Sequence, residues 1–570
     1  MKLTGAQIVW EALVREGVEV VFGIPGGQNL PIFDALAKYE YPLHFVLTRH
    51  EQGAAHMADG YARASGRVGV CMTTSGPGAT NLVTGLATAY MDSSPVVAIT
   101  GQVATTILGR DGFQEADVTG ITMPVTKHNY LVTNINELPQ IMAEAFYIAA
   151  SGRPGPVLID ICRDVQAGQI DVVWPDKVDL PGYRPHVTAA PVEGIAAAAR
   201  LINEAERPLI VVGQGVTISG AHAQLQDLAE KADIPVASSL LGLSAFPQSH
   251  PLALGMGGMH GEAFTNLALQ NCDVLIAIGA RLDDRLTGAF ATFAPKAKIV
   301  HIDIDRAEVG KNLTIALPLV GDARLTLELL LPLVRPAQHT EWRAQIAAWR
   351  TDTDRRDILA QETTTLVPPY VIRQIYEQAA GSIVVSDVGQ HQMWEAQYFP
   401  HERPRSHLTS GGLGTMGFAL PAAIGASFAR PDEEVWVVVG DGGFQMTMCE
   451  LATVIQEERK IKIAIINNGY LGMVRQWQDI VYEKRYSASP LVNPDFAALA
   501  AAYGIAALRI TERGAVADAI STARHTDGPF LLDFRVDPLA MVYPMVLPGK
   551  SNSDMLRRPL PEMMGGQEGK

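Results

Sequence analysis

The chain has 570 residues, 48% of them hydrophobic and 18% charged, which is the composition of an ordinary globular protein and too apolar for disorder. At about 100–200 residues per domain there is room for three to five domains. Its 45 basic and 60 acidic side chains give a formal charge of −15, and with no long Lys/Arg block the chain is a poor match for nucleic acid or an anionic membrane.

The first residues, Met1-Lys2-Leu3-Thr4-Gly5-Ala6-Gln7, run straight into an amphipathic helical pattern without a signal-peptide core. No apolar run reaches the roughly 18 residues of a membrane span. Cys71, Cys162, Cys272 and Cys449 are scattered and form no CxxC pair, so they read as small buried hydrophobes in a reducing compartment. A cytoplasmic protein is expected.

Along the chain, β-branched runs at 18–22, 44–47, 68–72, 95–99 and 157–161 alternate with Ala-rich helical stretches. That alternation predicts α/β architecture with doubly wound parallel sheets. Polar, Pro-containing stretches from Arg163 to Ala190 and from Arg335 to Pro369 read as linkers. They divide the chain into domains at 1–165, 190–335 and 365–548, followed by a tail or lid at 549–570.

In the middle domain a strand at 209–212 precedes Gly213-Gln214-Gly215, but Ile218 stands where a dinucleotide fingerprint needs its third glycine. An NAD site is not supported. The outer domains echo one another: Thr74-Ser75-Gly76-Pro77-Gly78-Ala79-Thr80 and Thr409-Ser410-Gly411-Gly412-Leu413-Gly414-Thr415 each precede an Ala-rich helix, 335 residues apart. Each is followed by a buried run ending in glycine, at Gly101 and Gly440, 339 residues apart. A duplicated α/β unit is the economical reading.

The third domain carries the most specific signal. A buried run at 435–439 leads into Gly440-Asp441-Gly442-Gly443, and 24 residues later Asn467-Asn468 closes another run at 461–466. Both clusters fall at carboxyl ends of parallel strands, where open α/β sheets bind ligands. Asp441 and Asn468 offer hard oxygen donors, a sparse set that suits Mg²⁺ completed by substrate phosphates. Either cluster alone is more simply a turn; together they form a site. The spacing resembles the thiamin diphosphate (ThDP) fingerprint. That cofactor requires a carboxylic acid beside its aminopyrimidine N1′, and Glu51 is the candidate, at the end of the strand 44–47 in the first domain.

From here nearly the whole chain resembles the catalytic large subunits of the acetolactate (acetohydroxyacid) synthase family. The matching stretches include Pro25-Gly26-Gly27, Arg49-His50-Glu51-Gln52-Gly53-Ala54-Ala55, Phe113-Gln114-Glu115 and Thr126-Lys127-His128. Further on come Gly258-Met259-His260-Gly261, Gly279-Ala280-Arg281 with Asp283-Asp284-Arg285, Val388-Gly389-Gln390-His391, Gly412-Leu413-Gly414-Thr415-Met416-Gly417 and Gly472-Met473-Val474-Arg475-Gln476-Trp477.

The resemblance implies ThDP, Mg²⁺ and FAD as cofactors, 2-oxo acids as substrates, a homodimer or homotetramer, and room for a small regulatory subunit. It assigns Glu51, Gln114, Lys127 and Met416 to catalysis. It implies Asp441, Asn468 and the Tyr470 carbonyl for Mg²⁺, with Val388, Gly389, Gln390, His391, Gly414, Gly442, Gly443, Leu471, Gly472 and Met473 around ThDP. For FAD it implies Gly213, Gly215, Met259, His260, Gly279, Arg281, Asp283, Arg285, Asp303, Ile304 and Asp322. Gly27, Phe113, Met259, Arg281 and Trp477 would meet substrate, Arg281 as a carboxylate clamp. The chain departs from the family at Ile24, Gln28, Met123 and Cys162-Arg163. A related 2-oxo acid decarboxylase, oxidase or other carboligase remains the alternative.

Overall fold

A computed structural model describes residues 2–183, 185, 187–360 and 365–560. The first unit contains β1 (Lys2–Thr4), β2 (Val20–Gly23), β3 (His44–Leu47), β4 (Gly69–Thr73), β5 (Val96–Gln102), β6 (His128–Val132), β7 (Val157–Cys162) and β8 (Gln169–Asp171). The second contains β9 (Pro208–Val212), β10 (Val236–Ser238), β11 (Ala253–Met256), β12 (Val274–Ile278), β13 (Lys298–Asp303) and β14 (Leu317–Val320). The third contains β15 (Ile383–Ser386), β16 (His407–Thr409), β17 (Val435–Gly440), β18 (Lys462–Asn467), β19 (Ala506–Ile510) and β20 (Phe530–Arg535).

Three six-stranded sheets result, with orders β3-β2-β4-β5-β7-β6, β11-β10-β9-β12-β13-β14 and β16-β15-β17-β18-β20-β19. Their strands pair in parallel, as the alternating pattern predicts. β4, β7, β12 and β17 are buried along their whole length, which is why β12 and β17 read as unbroken apolar runs, while β7 is interrupted by the buried Asp160, which accepts from Thr100 and Gln102. Separately, β1 and β8 form an antiparallel pair that ties the amino terminus to residues 169–171.

The first and third sheets share one strand order, so the duplication holds, but the sequence echo that suggested it was one βα unit out of register. β2 corresponds to β15 (residues 20 and 383) and β4 to β17 (69 and 435), an offset near 365 rather than 335. Gly-rich turns recur after several strands of such sheets, and the match joined two that are not topologically equivalent. In the true register the Asp441 turn answers the Thr74 turn. Glu51, after β3, answers the Gly414–Met416 segment after β16.

The helices following β3 and β16, Glu51–Ser65 and Ala419–Ala429, pack directly against each other and fuse the outer units into one core. Glycines allow the approach. A Cβ on Gly60 would lie 2.0 Å from the Ala422 carbonyl oxygen, and one on Gly425 would lie 1.9 Å from that of Met57. His50 caps the first helix by accepting the Gln52 N–H, and Gly66, at φ +78°, ends it.

The stretch read as a second linker contains a helix, Thr340–Asp354. Trp342, Ile346 and Trp349 recur at helical spacing and pack on the middle unit, a stripe masked by the charged residues between them. The start of the expected tail is also docked: Asn552 donates to the Leu286 carbonyl and Leu556 pairs with Met545. Residues 561–570 lie outside the described residues. Among the described residues no helix is long and apolar enough to cross a membrane, and the four cysteines are free.

Candidate functional site

In the third sheet the strand order reverses between β15 and β17, and the loops leaving these two strands open a crevice. β17 runs directly into the helix Asp441–Thr447. The Asp441 carboxylate is buried and accepts from Asn493 Nδ2 at 2.6 Å and from the Gly469 N–H at 3.1 Å. Burial outweighs these donors and pushes its pKa up to about 6. The two asparagines divide their work. Asn467 is buried and donates to Asp533 at 2.8 Å, whereas Asn468 is half-buried, donates to Gln390 Oε1 and accepts the Tyr470 N–H at 3.0 Å. Asp441 and Asn468 thus present an oxygen-only, incomplete donor set that fits Mg²⁺.

The surrounding turn is built at contact distance. A Cβ on Gly472 would stand 2.2 Å from Gln390 Oε1, one on Gly443 2.5 Å from Asp387 Oδ1, and one on Gly442 2.8 Å from Leu471 Cδ2. The Met416 methyl group lies over Gly442. His391 supports this turn from beneath: its Nε2 accepts the Gly440 N–H, and burial lowers its pKa to about 4, so the ring is neutral. Gln390 is braced by Gln476 and the Ala540 carbonyl.

A cavity of about 740 Å³ extends from this crevice into the middle unit, a size suited to a cofactor-sized ligand. From the third unit it is lined by Val388, Gly389, Gly414, Met416, Met473 and Trp477, the last two one turn apart on the helix Gly472–Ile480. From the middle unit every residue the resemblance associated with flavin lines it: Gly213, Gly215, Met259, His260, Gly279, Arg281, Asp283, Arg285, Asp303, Ile304 and Asp322. The middle sheet has the strand order of a dinucleotide-binding fold, with its switch point between β9 and β12. There a Cβ on Gly213 would sit 2.1 Å from the Gly279 carbonyl oxygen. Arg281 pairs with Asp283 at 3.1 Å and donates to the Met91 carbonyl.

The metal-binding turn itself, with Asp441, Asn468 and Tyr470, lies beside this cavity and not in its lining, joined to it by Met416 over Gly442. Glu51, Gly27, Phe113, Gln114 and Lys127, all of the first unit, do not line it either. Glu51 opens its helix and accepts from Asn81 Nδ2 at 2.9 Å. Phe113 is 84% exposed, an unusual position for a large apolar ring, and Gln114 beside it holds φ at +61°. Lys127 is turned inward onto the Ile148 and Ser151 carbonyls and the Tyr183 hydroxyl, and burial lowers its pKa to about 8. Its ammonium is occupied by the chain itself.

Other residues shape the site without having been singled out from sequence. Asp387, at the end of β15, accepts the N–H groups of Val388, Gly417 and Ala419, which folds the Met416 loop over the crevice. Asp92 of the first unit accepts the N–H groups of Gly411 and Gly412 while paired with the buried Arg63. Asn493 joins Asp441, Asn467 and Gln445. The strand-end rule that found Asp441 also reaches Asp387. Asp92 and Asn493 sit in irregular segments and carry no comparable signal.

Comparison with known sequences bears directly on this arrangement. The chain matches the thiamine pyrophosphate enzyme N-terminal TPP binding domain over residues 3–121, the central domain over 195–330 and the C-terminal TPP binding domain over 387–534. It is a thiamine pyrophosphate enzyme, with the cofactor fold in its first and third units. It is 50% identical to the acetolactate synthase large subunit of Corynebacterium glutamicum, over 97% of this chain and 90% of that one. It is 49% identical to a probable acetolactate synthase large subunit of Methanocaldococcus jannaschii, over 96% and 94%. With the acetolactate synthase isozyme 2 large subunit of Escherichia coli the identity is 46%, over 98% and 100%. The chain belongs to the acetolactate synthase large-subunit family.

Proposed function

We propose that the third unit of one copy and the first unit of a second copy together form the acetolactate synthase active site, which joins two 2-oxo acids with loss of carbon dioxide. With pyruvate in both roles the product is 2-acetolactate; with 2-oxobutyrate as acceptor it is 2-aceto-2-hydroxybutyrate. The observation that carries this reading is a separation. Met416, which lies over Gly442 of the metal-binding turn, lines the cavity together with Arg281 and Trp477, whereas Glu51 of the same chain does not and is bonded to Asn81 of its own unit. A homodimer or homotetramer supplies the missing acid, and the exposed Phe113 with its half-buried neighbour Gln114 belongs to the same contributed surface.

When bound, thiamin diphosphate supplies the nucleophilic carbon and the electron sink for decarboxylation. Asp441, Asn468 and the Tyr470 carbonyl would hold Mg²⁺, and the Gly442-Gly443 and Gly472-Met473 backbones would offer N–H groups to the diphosphate. Met416 would pack against the bound cofactor from beside Gly442. Glu51 holds a proton at the aminopyrimidine N1′. Arg281 clamps the carboxylate of the acceptor 2-oxo acid, and Trp477 walls the space beside its alkyl group. The middle-unit residues lining the cavity would hold FAD, to which this reading gives no net redox work. Gln114 would act in catalysis and Gly27 and Phe113 would meet substrate, in a site that must exclude water, which would otherwise divert the two-carbon unit to acetaldehyde.

The free cysteines and the absence of a membrane-spanning helix among the described residues support cytoplasmic residence. A small regulatory chain remains compatible with the catalytic unit.

The test is a product balance with pyruvate and ThDP, Mg²⁺ and FAD, omitting each cofactor in turn. Acetolactate as main product, dependent on all three, supports the reading. Acetaldehyde or acetate as main product assigns the alternative decarboxylase or oxidase chemistry and overturns it.

A further inference from the structure

At the edge of the third sheet next to the middle unit lies a polar cluster in which no residue assigned to catalysis takes part. Glu395 is on the helix Gln390–Tyr398, His401 follows that helix, and His407 begins β16. All three side chains are essentially inaccessible. One ligand atom from each lies within 4.8 Å of the others. His401 Nε2 stands 2.7 Å from Glu395 Oε1, and His407 Nδ1 stands 3.3 Å from Glu395 Oε2. The imidazole centroids are 4.5 Å apart.

The hydrogen-bond account of this cluster does not close. Glu395 Oε2, His401 Nδ1 and both ring nitrogens of His407 are buried without a hydrogen-bond partner. Unmet buried polar atoms are costly, and several at one point call for an explanation. A buried carboxylate with an unmet oxygen, facing two imidazoles with unmet ring nitrogens, is a donor set of the kind that metal ions take.

We propose that Glu395, His401 and His407 form a buried structural site for a zinc-like transition-metal ion, separate from the Mg²⁺ site at Asp441. Two imidazole nitrogens and one carboxylate oxygen provide three protein donors, and one water completes a four-coordinate centre. Mixed nitrogen and oxygen ligation selects Zn²⁺, Co²⁺ or Ni²⁺ over Mg²⁺, which prefers oxygen. Tetrahedral ligands about 2.1 Å from zinc stand about 3.4 Å apart, so the 3.3 Å pair of His407 Nδ1 and Glu395 Oε2 already matches, and the remaining imidazole, with its ligand atom within 4.8 Å of the others, moves in on binding. The ion closes the account of Glu395 Oε2 and His407 Nδ1 and balances the buried negative charge.

The placement gives the ion a mechanical role. It ties β16, which leads into the Ser410–Gly414 loop, to the helix whose first turn holds Gln390 and His391. Gln248 of the middle unit donates its N–H to the His401 carbonyl, so the clamp also sits on the domain boundary.

The experiment keeps the holoenzyme intact with ThDP, Mg²⁺ and FAD, dialyses it against micromolar ZnCl₂ or CoCl₂, and removes loose metal. Elemental analysis is expected to find about one zinc per chain, the cobalt form to show the visible bands of a four-coordinate centre, and the melting temperature to rise with zinc concentration. Glu395→Gln is expected to lose the stoichiometric zinc, the bands and the melting shift, with ThDP binding retained. His407→Asn repeats the comparison if the first variant folds poorly. The proposal is overturned if the wild-type chain retains no stoichiometric zinc, which would leave a proton-sharing imidazole–carboxylate pair. It is also overturned if both variants bind as much zinc as the wild type.

Discussion

The first and third units are the same sheet used for opposite ends of one chemical task. Strand for strand they share an order, and their Glu51–Ser65 and Ala419–Ala429 helices meet across glycines. Yet the crevice of the third unit carries Asp441, Asn468 and a ring of contact-distance glycines, while the first offers Glu51, Phe113 and Gln114. Duplicated folds fix where loops converge; the loop residues decide what each copy does there. On the reading proposed above, the third unit holds the metal and the diphosphate, and the first contributes its acid to the site of a second copy.

Removing the distinctive group from each unit breaks the comparison most sharply. Glu51→Gln is expected to lower kcat by about 10²–10⁴-fold, the range of positioned acid–base groups, with ThDP affinity read by tryptophan fluorescence little changed. Asp441→Ala is expected to cost more than about 100-fold and to abolish the Mg²⁺ dependence of ThDP binding, a loss beyond that of outer-sphere changes. If both variants failed in the same way, the division of labour between the units would be wrong.

The contact between the units supplies a stability prediction. Gly425→Ala places a methyl group on the Met57 carbonyl and is expected to destabilise by about 1–3 kcal/mol or more, seen as a lower denaturant midpoint at unchanged slope. Asp92→Asn, which weakens the hold on Gly411 and Gly412, is expected to cost about tenfold in kcat/KM. Its effect should exceed that of Asp34→Asn, on the exposed part of the first unit.

The smallest effect is one of pH. The Asp441 pKa stands near 6, raised by burial above the ordinary value of about 3.9. Protons therefore compete with metal below pH 6. Mg²⁺ affinity, measured by titration calorimetry, is expected to fall by about tenfold per unit as the pH drops from 6. In metal-free protein the sign reverses: the raised pKa costs stability as the pH climbs from about 4 to about 6, where the unfolded chain has already released this proton.

Much of this was legible in the chain. Three parallel-sheet units followed from alternating apolar runs, and the Asp441–Asn468 spacing located the crevice because both ends close buried strands. The register of the duplication was not legible, because glycine turns repeat and only strand order distinguishes equivalent ones. The helix Thr340–Asp354 was hidden because its tryptophan stripe is sparse among charges. Asp92 and Asn493 act through contacts between segments hundreds or tens of residues apart, which no local pattern records. The Glu395, His401 and His407 cluster has the same character: three positions unremarkable in sequence that converge only in the fold.

The central claim is that the acid and the metal-binding turn of one active site come from different copies. It is tested most directly with doubly tagged heterodimers purified through both tags. Glu51→Gln on one chain and Asp441→Asn on the other leaves one shared site intact, so about half of wild-type acetolactate formation is expected. With both substitutions on one chain and a wild-type partner, neither shared site is intact and activity is expected to vanish. The reverse pattern, an inactive first heterodimer and a half-active second, would place the whole site within a single chain and contradict the account.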